Sequence, residues 1–261
     1  MLTNRGAMNY TDLLINTSRK NHSIVCLGMD PVLELIPLDA GSAKKKIIVF
    51  YETILESLEK SGVYPGAVKP NYAFFAQYGL EGIEALFEII QRCRNSELPV
   101  ILDFKRGDIG TTAAAYSREA YEFFKADAVT LSPFLGYDSI FPFIDNYPEK
   151  GCYILNKTSN KSSVDIQDLD IGGEPLYIHL TRKIIEWHRP GMGAVVGATY
   201  PGQLRAISNI YIASGKIVPL LIPGVGAQGG SVKEVCEVLK LFPDPGIHRI
   251  NSSSAINYAY K

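Results

Sequence analysis

Eight short apolar runs, separated by segments of helical period, restrict the fold of this sequence more than any other feature. The runs are SIVCLGMD, VYPGAVK, LPVILDFK, ADAVTLS, GCYILNK, GAVVGAT, KIVPLLIP and GIHRIN. Between them, Ile47, Ile48, Tyr51, Ile54, Leu55 and Leu58 recur at the i, i+3, i+4, i+7 spacing of a helix with one buried face, as do Val232, Val235, Cys236 and Leu239. Near-continuous apolar strands need cover on both faces, which a parallel sheet with crossover helices provides. Eight such units is the number that closes a (β/α)8 TIM barrel. The expectation is therefore an α/β protein with a single barrel domain over 1–261 and a short N-terminal extension over about 1–22, a length one barrel ordinarily uses. The longest irregular stretch, 158–176 after the fifth run, is polar and glycine-rich; a loop of that length inside a barrel is functional or mobile.

Composition narrows the function classes. With 46% hydrophobic residues the chain can bury a full core. A formal net charge of -1 supplies no broad counterion-releasing surface, which argues against general nucleic-acid binding. The run Lys44 to Lys46 reads as the solvated first turn of a helix. No apolar stretch reaches the ~18 residues needed to span a bilayer, and MLTNRGAMNYTDLL has no signal-peptide core. Cys26, Cys93, Cys152 and Cys236 lie in apolar segments without C-x-x-C spacing, as expected of buried, reduced thiols in a cytoplasmic protein. The four histidines, His22, His179, His188 and His248, show no metal-ligand spacing, so no metal is expected.

In a barrel the catalytic groups stand at the carboxyl ends of the strands. Here those positions are Asp30, Lys69, Asp103, Lys105, Ser132, Ser159, Thr199, Pro223 and Asn251. Asp103 and Lys105 are two residues apart, so an unbroken strand would send both side chains to one face; Asp108 follows in a glycine-bounded turn, and Lys69 closes the second strand. Surface ion pairs also produce D-x-K-x-x-D spacing, but at the end of a buried strand charges are costly unless paired or used. For the single polar residues, Asp30 before Pro31 or Ser132 before Pro133, a turn is the plainer reading. The glycines of PGVGAQGG at 224, 226 and 229 match G-x-G-x-x-G. A dinucleotide fingerprint belongs in the first βα turn, whereas only one strand remains after this one. The loop after the seventh strand is instead a common phosphate site in barrels, or simply a tight turn.

Together, LGMDP at 27–31, Lys69, LDFKRGDIGTT at 102–112, KTSN at 157–160 and PGVGAQGG at 223–230 closely resemble orotidine 5′-phosphate decarboxylase of the second bacterial type, which parasite enzymes also resemble. The resemblance runs from about residue 23 to 257. It implies a cofactor-free decarboxylase that makes uridine 5′-phosphate in de novo pyrimidine biosynthesis. Lys69, Asp103, Lys105 and Asp108 would form an alternating charged array, with Lys105 protonating C6. Asp30 and Lys69 would hold the ribose hydroxyls, and Asn71 would add a polar contact. Ser159 would address the pyrimidine, while Pro223, Gly224, Gln228 and adjacent amides would bind pyrimidine and phosphate, with Ser253 and Ser254 at the phosphate end. Asp108, Ile109 and Thr112 would come from the partner subunit of a homodimer. One position departs from the family. Where an arginine usually meets the phosphate, in a segment of the form N-S-S-R-A-I, this chain has Ser254. Arg249 lies inside the strand, so either another cation such as Arg205 or Lys161 reaches the phosphate, or affinity is reduced. Two alternatives share the pattern: a sister barrel lyase acting on a sugar phosphate, which would need a metal, and a catalytically impaired phosphate-binding barrel.

Overall fold

Each of the eight apolar runs forms a strand, and all of them pair in parallel. The computed structural model describes residues 8–39, 41–226 and 229–261. Its strands are β1 (Val25–Met29), β2 (Ala67–Pro70), β3 (Ile101–Arg106), β4 (Ala128–Leu131), β5 (Gly151–Lys157), a small hairpin of β6 (Asp170–Ile171) and β7 (Glu174–Pro175), then β8 (Met192–Val196), β9 (Leu220–Ile222) and β10 (Arg249–Ser252). The large sheet has the order β2-β1-β10-β9-β8-β5-β4-β3. Parallel bridges between Val68 and Val100 and between Asn71 and Asp103 join its two edge strands and close the barrel. The helices are α1 (Tyr10–Asn21), α2 (Ala43–Ser61), α3 (Tyr72–Ala76), α4 (Gly79–Asn95), α5 (Gly110–Arg118), α6 (Phe141–Ile144), α7 (Val164–Gln167), α8 (Leu176–Trp187), α9 (Pro201–Ala213), α10 (Val232–Leu239) and α11 (Ser254–Asn257).

Burial explains the alternation. Every residue of β4 and β8 is buried, because helices cover the outer face and the barrel interior fills the inner one. Helix α2 starts at Ser42, whose side chain accepts the Lys45 amide, and ends at Gly62 in the left-handed region, φ 68°. It buries Ile47, Phe50, Tyr51 and Leu55, while Ile48, Ile54 and Leu58 pack half-buried on the same core. The stripe expected on α10 is displaced at its start. Val232 is the first helical residue after the Ser231 cap and is exposed, whereas Val235, Val238 and Leu239 carry the buried face and Cys236 is half-buried. The other three cysteines are buried and free, and burial pushes the Cys26 and Cys93 thiols up to about 12.

The described part of the N-terminal extension is a stopper for the barrel floor. Tyr10 and Leu14 of α1 are fully buried in the barrel's inner cluster, and the Tyr10 hydroxyl is 3.0 Å from that of Tyr153 on β5. Arg249 is wholly buried beside them. Its guanidinium donates to the carbonyls of Gly66 (3.1 Å), Gly246 (2.8 Å), His248 (2.7 Å) and Leu14 (2.7 Å), which fastens α1 to the start of β10. The 158–176 stretch also holds more structure than its composition suggests: a 3-10 turn at Lys161–Ser163, helix α7, and the β6–β7 hairpin. That hairpin is possible because Gly172 and Gly173 both take positive φ, 66° and 92°, as a two-residue turn between antiparallel strands requires.

Candidate active site

Asp103 is the hub of the barrel mouth. Lys69 Nζ, from the end of β2, donates to its Oδ2 at 2.6 Å. Lys105 Nζ and Thr130 Oγ1 donate to its Oδ1 at 2.7 and 2.8 Å. Lys69 and Asp103 are almost wholly buried, whereas the Lys105 side chain is half exposed to the cavity. Burial alone would lower the Lys69 ammonium, but the Asp103 and Asp30 carboxylates outweigh it and leave its pKa raised. Burial alone would likewise raise Asp103, and the two neighbouring ammonium groups instead hold it well below the usual carboxylate range. Lys69 and Asp103 are therefore both charged at neutral pH. With Asp30, whose carboxylate acts on Lys69, the mouth of one chain sets two lysines against two aspartates.

The expected convergence of Asp103 and Lys105 is present, but regular strand alternation does not produce it. Leu102 pairs with Val129 and Arg106 with Leu131, so β3 spends four residues on a span that β4 covers in two. Lys105 sits in this bulge with φ 46°, left-handed backbone that costs a non-glycine residue on the order of 1 kcal/mol. Its amide is tied to Thr130 Oγ1 at 3.0 Å, so one threonine braces both the strained backbone and the carboxylate.

The cluster opens into a cavity of about 1280 Å³ at the carboxyl ends of the strands. Asp30, Asn71 and Ser159 line it, as do Pro223, Gly224, Ser253 and Ser254. Asp30 Oδ1 and Asn251 Oδ1, from neighbouring strand ends, are buried there without a hydrogen-bond partner among the described residues, acceptors suited to a hydroxyl-bearing ligand. Asp108, Ile109 and Thr112 do not line their own chain's cavity; Asp108 Oδ1 accepts the Ile109 amide at 2.8 Å, and Ile109 is exposed. Gln228 lies outside the described residues. Neither Arg205 nor Lys161 fulfils the expectation of a cation at the phosphate end, because both are exposed residues that do not line the cavity. Arg249 is committed to the barrel floor.

Of three further features, two escaped the sequence reading and one, Thr199, was read there only as a rim position. Thr130 was legible in principle, as a polar residue next in register to the strand pair holding Asp103. Thr199 proves to be a fastener, its hydroxyl donating to the Ser159 carbonyl at 3.1 Å, and Gly197 makes room, since a Cβ there would stand 2.8 Å from Ser159 Cα. Lys157, read only as part of KTSN, is the third; it is fully buried at the end of β5.

The family model described as "Orotidine 5'-phosphate decarboxylase / HUMPS family" matches residues 23–256 of this chain. The chain belongs to that family. Among relatives of the orotidine 5′-phosphate decarboxylase / HUMPS family, the orotidine 5′-phosphate decarboxylase of Dechloromonas aromatica (strain RCB) is 40% identical over 257 residues, 97% of this chain and 92% of that one. The solved structure of Leishmania donovani OMP decarboxylase superimposes with TM-score 0.80 at 34% identity, covering 96% of this chain and 91% of the other. Leishmania donovani UMP synthase matches with TM-score 0.81 at 35% identity, over 97% of this chain but only 54% of that longer one. The single (β/α)8 barrel and the family membership expected from the motifs are thus both found.

Proposed function

We propose that this chain decarboxylates orotidine 5′-phosphate to uridine 5′-phosphate, the decarboxylation of de novo pyrimidine biosynthesis, without metal or cofactor, as a cytoplasmic homodimer. The observation that carries the reading is the array Lys69–Asp103–Lys105, two ammonium groups on one buried carboxylate at the mouth of a barrel of this family.

The chemistry follows from these groups. Loss of CO2 breaks the bond from C6 to the carboxyl carbon and leaves its electron pair on C6, with no conjugated sink to receive it. The barrier falls when preorganised positive charge stands where that pair develops. Lys105, half exposed to the cavity and fixed by Asp103 and the bulge, supplies that charge and then its proton to C6, leaving a neutral amine that solvent reprotonates. Asp103 would stand beside the departing carboxylate. Asp30 and Lys69 would take the ribose hydroxyls, which agrees with the unpartnered acceptor on Asp30. Asn71 would add a polar contact, Ser159 would contact the base, and the segment from Pro223, including Gly224 and Gln228, would bind base and phosphate together with Ser253 and Ser254.

Homodimerisation is supported by the placement of Asp108 and by exposure. Asp108, the remaining member of the expected array, does not line its own chain's cavity. Ile109 and Phe134, on rim loops after β3 and β4, are 54% and 85% exposed, apolar surface that a second copy would cover. Asp108, Ile109 and Thr112 would then complete the partner's site. The free, buried thiols fit a reducing compartment.

The test is the loss of substrate absorbance with orotidine 5′-phosphate, with and without chelator. Turnover unaffected by chelator is expected. No turnover, or turnover abolished by chelator and restored by a divalent metal, would overturn the reading.

A further inference from the structure

Lys157 is the last residue of β5 and has no exposed side-chain surface. An ammonium so placed is costly unless its hydrogen bonds are met, and the groups that meet them come mostly from the segment that follows it. Nζ donates to Asp168 Oδ1 at 2.8 Å and to Ser163 Oγ at 2.9 Å, and lies 5.9 Å from the centre of the Tyr177 ring. Tyr177, in the first turn of α8, and Tyr200, whose ring is 4.8 Å away, lie outside that segment. If the segment lifted, the buried charge would lose its carboxylate. Closure of the segment and satisfaction of Lys157 are one event.

The same segment forms one wall of the cavity. Thr158, Ser159, Ser162, Ile166 and Gln167 all line it. Further bonds align it once it is down: Gln167 Oε1 accepts the Thr158 amide at 2.9 Å, and Gln203 Nε2 of α9 reaches both Asp168 oxygens at 3.4 Å. An apolar residue at 157 would fill the space without fixing where Asp168 sits, whereas an ammonium–carboxylate contact fixes it to hydrogen-bond tolerance.

We infer that Lys157 and Asp168 are positioning residues that hold the 158–168 wall, and Ser159 with it, against the bound substrate. The inference rests on the proposed decarboxylase reading for its kinetic arm only. In Lys157→Met and in Asp168→Asn, KM for orotidine 5′-phosphate should rise about tenfold or more while kcat falls less than about threefold. Lys157→Arg should recover part of the loss, since it keeps the charge. Cleavage by trypsin at Lys161 should accelerate in both loss variants relative to the parent protein, and saturating uridine 5′-phosphate should slow it again. The inference is overturned if Asp168→Asn leaves both KM and cleavage unchanged, or if kcat falls as far as KM rises. Should Lys157→Met fail to fold, Asp168→Asn decides alone, its carboxylate being partly exposed. A parent protein inactive on orotidine 5′-phosphate would sink the decarboxylase reading, and the cleavage comparison would still judge the tether.

Discussion

Lys105 Nζ stands 2.7 Å from Asp103 Oδ1 across a break in the strand that carries both. The break sets the backbone from which the lysine reaches the cavity. In the bulge its backbone turns left-handed and its side chain remains half exposed while still paired. A charge held in this way is oriented before the substrate arrives, the condition under which electrostatic stabilisation is most effective.

Lys105→Ala should therefore fold, still bind uridine 5′-phosphate, and lose turnover by several orders of magnitude, as removal of a proton donor generally does. The check is kcat by absorbance alongside nucleotide affinity by calorimetry. Retention of more than about a tenth of the parent activity, a loss below ~1.4 kcal/mol in barrier, would remove Lys105 from the role.

Asp108 gives a test of the shared site. Mixing inactive Lys105→Ala with inactive Asp108→Asn, under conditions where subunit exchange is verified by mass spectrometry, should restore activity in heterodimers that contain one intact site. No recovery would mean that Asp108 acts within its own chain.

The parts of this molecule that sequence makes legible are those fixed by period and by strand ends. All eight strands stand where apolar runs are read, because burial on both faces leaves no polar alternation to confuse them. Lys69, Asp103 and Lys105 converge as expected, since parallel strands of a barrel end at one rim. What sequence did not disclose depends on contacts between distant segments. The bulge at Lys105 is held by Thr130, 25 residues away in the chain. The role of α1 depends on Tyr10 meeting Tyr153, and on the guanidinium of Arg249 finding four carbonyls. Composition likewise marks 158–176 as a loop, but a single buried cation and a two-glycine turn organise it.

His248 predicts how stability responds to pH. Its ring is buried against Phe242, Nδ1 accepts the Leu220 amide at 3.0 Å, and Nε2 has no partner among the described residues. Burial, with the Arg249 charge next to it, lowers its pKa to about 3 in the folded state, against ~6.5 unfolded. Above pH ~6.5 neither state carries the proton and the contribution is complete. Below it the unfolded chain takes up a proton that the folded chain refuses, so stability falls by up to ~1.4 kcal/mol per pH unit until the folded pKa is reached. Denaturant unfolding between about pH 6 and 5, above the range where carboxylates titrate, should show this slope in the parent and a flatter one in His248→Gln. Equal slopes would mean that His248 is protonated in the folded protein.

Ser254 sets the last expectation. It lines the cavity at the start of α11, where the family resemblance places a phosphate-binding arginine, and neither Arg205, Lys161 nor Arg249 takes that place. A serine offers a neutral hydroxyl where a guanidinium would give a bidentate, charge-assisted contact. The difference should weaken phosphate binding by roughly 1.5 to 3 kcal/mol. Ser254→Arg should then lower KM for orotidine 5′-phosphate by about tenfold or more, since ~1.4 kcal/mol is a factor of ten. It should do little for the phosphate-free nucleoside, which cannot use the new contact. An unchanged KM would mean that the phosphate is already fully held by backbone amides of the loop after β9. An equal gain with the nucleoside would mean that position 254 faces some other part of the substrate.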